Sequence, residues 1–170
     1  MPEMPAFIFA PTRILAPVDF SPSSRAALET AVDLADHFDA ELFVVNVIPI
    51  FSGSTLPDFI PESNYIEERR KDAERRFARL RDALEGKGMK VATIIEEGND
   101  VASNIMEVVE REKIDFLVIS THGLTGWRPL VFGSIAEKVV KMVQCSILLL
   151  RSAKPEATEK VSSDRPLEWW

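Results

Sequence analysis

Five short apolar runs alternate with amphipathic stretches along the chain, and the alternation sets the predicted architecture. Arg13-Ile14-Leu15-Ala16-Pro17-Val18 has the length and composition of a first strand. Ser21-Pro22 follows as a helix N-cap with proline at the first helical position. Ala27, Ala31, Leu34, Ala35 and Phe38 then recur every three or four residues, predicting a helix that ends near Phe38. The run ELFVVNVI, from Glu41 to Ile48, is almost wholly apolar, as expected of a strand covered on both faces of a parallel sheet. A proline-rich, aromatic-rich stretch from Pro49 to Ser63 predicts a long loop. A charged helix is expected from about Asn64 to Glu85, with Ile66, Ala73, Phe77, Leu80 and Leu84 on one face and Gly86 as its stop. Met89–Ile95 is a third strand, and Asp100 caps a helix carrying Val101, Ile105, Met106 and Val109. Ile114–Ile119 is a fourth strand, Ser134–Val143 a last helix and Ser146–Leu150 a fifth strand. This βαβαβαβαβ order is that of an α/β protein: a doubly wound parallel sheet with helices on both faces. One domain is expected over residues 12–152, preceded by a loose extension (1–11) and followed by a tail (153–170) that ends in Trp169-Trp170.

Composition narrows the function. Of 170 residues, 46% are hydrophobic and 28% charged, as in a folded globular chain. The net charge of −7 opposes a general nucleic-acid binder, which presents a basic field. The seven basic residues from Arg69 to Arg81 are interleaved with carboxylates and predict a solvated helix face with i,i+4 pairs. The single cysteine, Cys145, excludes an internal disulfide and points to a reducing cytoplasmic home. It precedes a buried strand, where cysteine acts as a small hydrophobe. No run approaches the ~20 apolar residues of a membrane span.

Ligands of doubly wound sheets bind beyond the carboxyl ends of the strands, where the strand order reverses. The loops after the first and fourth strands, Pro17-Val18-Asp19-Phe20-Ser21 and Ser120–Gly126, are therefore the candidate site. The second continues to Phe132-Gly133-Ser134-Ile135-Ala136-Glu137, in which S-x-x-E predicts that Ser134 caps the last helix. Gly123, Gly126 and Gly133 beside a helix start allow a phosphate to meet backbone amides. The same residues also suit a plain turn and cap. The stretch from Ser120 to Gly133 contains no carboxylate, and Arg128 is its one fixed cation. Neither a Walker A loop nor a dinucleotide fingerprint after the first strand is present. Asp19 has two roles open to it: a ligand or magnesium contact, or bracing of the turn at Ser21. Asn46 is a polar interruption in VVNVI and is expected to bond across to the first-strand loop or to the ligand, with bracing the simpler role.

From Thr12 to Arg151 the chain resembles the universal stress protein family. The resemblance rests on RILAPVDFS, VISTHGLTG, GSIAEKVV and CSILLLR. Gly123, nine intervening residues, Gly133 and Ser134 match the second half of the family's nucleotide motif G-x2-G-x9-G-[S/T], while Ser120 stands where its first glycine falls. The resemblance implies an adenine nucleotide alpha hydrolase-like fold with strand order 3-2-1-4-5. It also implies ATP, or a related adenine nucleotide, as the ligand. By the family pattern Pro17, Val18 and Asp19 line the nucleoside end and Val47 meets the adenine. Ile119, Ser120, His122 and Gly123 flank ribose and phosphates, and Gly133, Ser134, Ile135 and Ala136 cradle the phosphate chain. Magnesium would reach the protein through Asp19. A homodimer through the edge strand Ile147–Leu150 is implied as well.

The function expected on these grounds is that of a cytoplasmic, dimeric, ATP-binding stress-response regulator with at most a slow ATPase activity. No paired carboxylates and no positioned base stand in the loops, so no catalytic residue is assigned. The alternative is a dimeric adaptor of the same fold that binds no nucleotide and acts through protein contacts.

Overall fold

A computed structural model describes residues 9–50, 62–121 and 133–151. They form β1 (Arg13–Pro17), α1 (Pro22–Phe38), β2 (Glu41–Pro49), α2 (Glu62–Glu85), β3 (Val91–Gly98), α3 (Val101–Arg111), β4 (Phe116–Ser120), α4 (Ser134–Met142) and β5 (Ser146–Leu150). All neighbouring strands are parallel, in the order β3-β2-β1-β4-β5. The order reverses between β1 and β4, the position expected for a ligand crevice.

Strand periodicity divides the core in two. Ile14, Ala16, Leu42, Val44, Phe116 and Val118 face α1 and α2, meeting Ala27, Leu28, Ala31, Phe77, Leu80 and Leu84. Their neighbours Leu15, Phe43, Val45, Leu117 and Ile119 face α3 and α4, against Ile105, Met106, Val108, Val109 and Val139. Burial on both faces explains why β2 and β4 are almost continuously apolar.

Three of the helix-to-strand turns share one construction. At the ends of α1, α2 and α3 the amides of Ala40, Met89 and Ile114 donate to the carbonyls of Ala35, Leu84 and Val109, at 2.9, 3.1 and 3.0 Å. Each turn passes through a left-handed residue, Asp39, Gly88 or Lys113. Each then sends an apolar residue back under the helix, as in the Schellman motif. Gly86 follows the last residue of α2, but the left-handed position belongs to Gly88.

The same end of the sheet is clamped by Asp115, whose carboxylate accepts from Thr12 N (2.8 Å), Thr12 Oγ1 (2.6 Å) and Arg13 N (3.0 Å). Phe9 packs edge-on against Phe38 and Phe116, with ring centroids 5.6 and 5.1 Å apart. Asp115→Ala removes the shared acceptor that joins the starts of β1 and β4. Because water can reach the released donors, the expected loss is about 1–2 kcal/mol of unfolding free energy, read from the urea midpoint.

Candidate functional site

The C-terminal ends of β1, β2 and β4 and the starts of α1, α3 and α4, with one side of α2, enclose a cleft of about 290 Å³. That is near the lower end of the range for small-molecule sites. Of the residues singled out in the sequence, β1 and its loop bring Pro17, Val18 and Asp19 to the lining, and β2 brings Val47. β4 contributes Ile119 and Ser120, while Gly133, Ser134, Ile135 and Ala136 come from the start of α4. His122, Gly123, Gly126, Arg128, the aromatic stretch 51–61 and the tail from residue 152 lie outside the described residues.

Backbone and side-chain bonds fix the loop after β1. Val18 N donates to the Val45 carbonyl (2.8 Å), and Asn46 Nδ2 donates to the Val18 carbonyl (2.8 Å). Asn46 thus has a bracing role, which answers how an amide is tolerated in VVNVI. Asp19 Oδ1 accepts from Ser21 N at 3.0 Å, and Ser21 Oγ caps α1 by accepting from Ser24 N at 3.2 Å. Asp19 therefore braces the turn and lines the cleft at once. Between them Phe20 adopts a left-handed φ of 62°, a conformation that costs an aromatic residue about 1–2 kcal/mol. Its ring is held by α2, tilted against Phe77 at 5.8 Å and under the Arg76 guanidinium at 4.8 Å.

The opposite wall is latched strand to strand. Thr121 N donates to the Leu150 carbonyl (2.9 Å), and Gly133 N donates to the Thr121 carbonyl (2.7 Å). This last bond holds Gly133 in an extended conformation (φ −60°, ψ 148°) as the N-cap of α4, without a side-chain cap. Ser134 is consequently the first helical residue, and the expected S-x-x-E capping box does not form. The first intrahelical bond runs from Glu137 N to the Gly133 carbonyl (2.9 Å). The amides of Ser134, Ile135 and Ala136 precede it and have no partner among the described residues. Such amides, with the positive end of the helix dipole, form an anion cradle.

Ser120 closes β4 with a negative φ and is nearly buried. No left-handed conformation is required there, so serine fits the position that the family motif gives to glycine.

Sequence reasoning missed the contribution of α2. Tyr65, Arg69 and Asp72 line the cleft together with Phe20, Ser24, Val101, Ile105 and Thr121. Their spacing of four and three places the α2 residues on one stripe, a signal present in the sequence but hidden by the abundance of charge around it. Partial burial pushes the Asp72 carboxyl upward, but hydrogen bonds and charge from Arg76 and Arg75 outweigh it, leaving the carboxyl below its ordinary range. Among the described residues, no cluster of three or more His, Cys, Asp or Glu could hold a metal ion. Cys145 is a half-buried free thiol packed on the α3 side of the core, and burial pushes its thiol up, as expected of a structural cysteine.

The doubly wound sheet of order 3-2-1-4-5, together with the solved structures that superpose on it, gives the adenine nucleotide alpha hydrolase-like fold. The universal stress protein family model matches residues 11–151, and the chain belongs to that family. Universal stress protein MJ0531 of Methanocaldococcus jannaschii is 30% identical over 144 residues, covering 85% of this chain and 84% of the relative. Universal stress protein YxiE of Bacillus subtilis is 26% identical over 147 residues, covering 82% and 98%. Among solved structures, universal stress protein UspA from Lactobacillus plantarum superposes with a TM-score of 0.75 at 23% identity, covering 85% of this chain and 100% of that one. A universal stress protein solved in complex with cAMP superposes with a TM-score of 0.60 at 19% identity, covering 84% and 98%. No described helix is long and apolar enough to cross a membrane.

Proposed function

We propose that this universal stress protein binds an adenine nucleotide in the cleft between β1 and β4 and acts as a cytoplasmic, dimeric, nucleotide-dependent regulator of the stress response. The observation that carries the reading is the convergence of three helix-initial amides, at Ser134, Ile135 and Ala136, on an otherwise largely apolar cleft. Apolar walls suit a base and the amides suit phosphate oxygens.

In this arrangement the adenine lies by Val47 and the nucleoside end by Pro17, Val18 and Asp19. The ribose passes Ile119 and Ser120, and the phosphates reach Gly133 and the start of α4. His122 and Gly123 join this set through their match to the family motif. Asp19 is the carboxylate at which magnesium would accompany the phosphates, consistent with the few protein ligands that this ion takes. The cAMP bound by a relative of the same fold extends the candidate ligands from ATP to other adenine nucleotides. The edge position of β5 supports pairing of Ile147–Leu150 with a second copy.

Calorimetric and thermal-shift titrations with ATP plus magnesium, ADP, AMP and cAMP test the proposal. Saturable binding of at least one ligand is expected, with about 2.7 kcal/mol of added stability at a hundredfold excess over Kd. No response to any of them at millimolar concentration would overturn it. That outcome would favour the adaptor reading, for which Val140 and Met142, exposed on α4 at 41% and 45%, offer a contact surface.

A further inference from the structure

α2 is rich in cations, and most of them are engaged. Arg70 pairs with Glu97 (2.6 Å), Lys71 with Glu67 (2.6 Å), and Arg75 and Arg76 with Asp72 (3.1 and 2.9 Å). Arg81 donates to Thr93 Oγ1. Arg69 differs: no carboxylate of the described residues stands within ion-pair distance, and its guanidinium lies over the Tyr65 ring at 5.4 Å. It is also the one basic residue in the described lining of the cleft, which otherwise carries Asp19 and Asp72 as charged groups. Asp72 is already neutralised from behind by two arginines.

From this placement we infer that Arg69, steadied by Tyr65, is a second anion-binding element. It would take a phosphate oxygen of the bound nucleotide from the α2 side while the α4 amides hold the phosphate from the other. The helix terminus supplies about half a unit of positive charge, far less than a polyphosphate carries. A guanidinium fits the remaining need because its planar fork matches two phosphate oxygens. The aromatic ring beneath it restricts a flexible side chain before binding and so reduces the entropy lost on contact. The consequence is selectivity for phosphorylated ligands over the free nucleoside.

The inference rests on the nucleotide reading, and the test separates the two. Calorimetry with ATP and with adenosine is carried out on the full chain, on Arg69→Ala and on Arg79→Ala. The last variant removes a cation from an exposed position of α2 away from the cleft lining. Arg69→Ala is expected to weaken ATP about tenfold, the worth of one charge-assisted hydrogen bond, with adenosine unchanged. Arg79→Ala is expected to match the parent. If the parent binds neither ligand, the role of Arg69 falls, and the nucleotide reading falls with it only where ADP, AMP and cAMP also give no response. If the parent binds ATP and Arg69→Ala retains the same ATP-to-adenosine ratio, the role of Arg69 alone is overturned. Equal losses for Arg69→Ala and Arg79→Ala would overturn it too, because the effect would then be one of net charge.

Discussion

Phe77→Ala is expected to remove about 3–5 kcal/mol of unfolding free energy, the usual range for emptying a fully buried aromatic site. Phe77 is 2% exposed and stands at the middle of the stripe Ala73, Phe77, Leu80 and Leu84, the fully buried apolar contact of the strongly polar α2. A loss of that size is a large share of the 5–15 kcal/mol typical of a domain. The check is a urea titration in which the midpoint falls while the slope is preserved. A second effect distinguishes Phe77 from its neighbours, because its ring supports the left-handed Phe20 next to Asp19. Leu84→Ala, at the far end of α2, should cost stability without touching the cleft. Phe77→Ala should cost both stability and nucleotide affinity. If the two variants bind nucleotide alike, Phe20 is not positioned from α2.

Gly133→Asp is expected to separate folding from binding in opposite directions. At φ −60° and ψ 148° the N-cap backbone of α4 accepts any L residue, and it now lacks a side-chain cap. Aspartate there caps the helix and interacts well with its dipole, so stability should rise by a few tenths of a kcal/mol. The same carboxylate would stand beside the proposed phosphate. Two unit charges about 5 Å apart at an effective dielectric near 20 repel by roughly 3 kcal/mol, which weakens ATP about a hundredfold. Gly133→Asn supplies a cap of the same shape without charge and should bind much nearer to the parent. Equal losses in the two variants would mean that bulk, not charge, governs this position, and the anion cradle would be wrong. The readouts are thermal melting for the fold and calorimetry for the ligand.

The layer architecture was legible because it depends on signals that the chain repeats, whereas the strand order followed from the family resemblance. Apolar runs of strand length between amphipathic stretches leave few alternatives once crossovers are right-handed. Ser21-Pro22 marked the start of α1 correctly because both its cap and its first-turn proline act locally. Ser134 misled for a nonlocal reason. The bond from Gly133 N to the Thr121 carbonyl determines where α4 begins, and it joins residues twelve apart in the chain. The loops around the switch point could be placed from topology, whereas the wall from α2 could not. Its stripe of Tyr65, Arg69 and Asp72 is drowned in a helix rich in charges that pair within α2 and with β3. The left-handed backbone of Phe20 left no trace either, since nothing in the side chain announces it.

Among the described residues, four are left-handed, and they are divided unequally between the two ends of the sheet. Asp39, Gly88 and Lys113 lie at the end where strands begin, in interchangeable turns remote from the cleft, and of these four only Phe20 lies at the end where ligand is expected. Glycine would relieve the backbone at Asp39 or Lys113 without altering a wall of the cleft, whereas at Phe20 it would also delete a ring that anchors one. Strain that can be relieved without disturbing the cleft therefore lies at the pole of the sheet where the strands begin. Editing those turns can adjust stability and leave the wall of the cleft as it is.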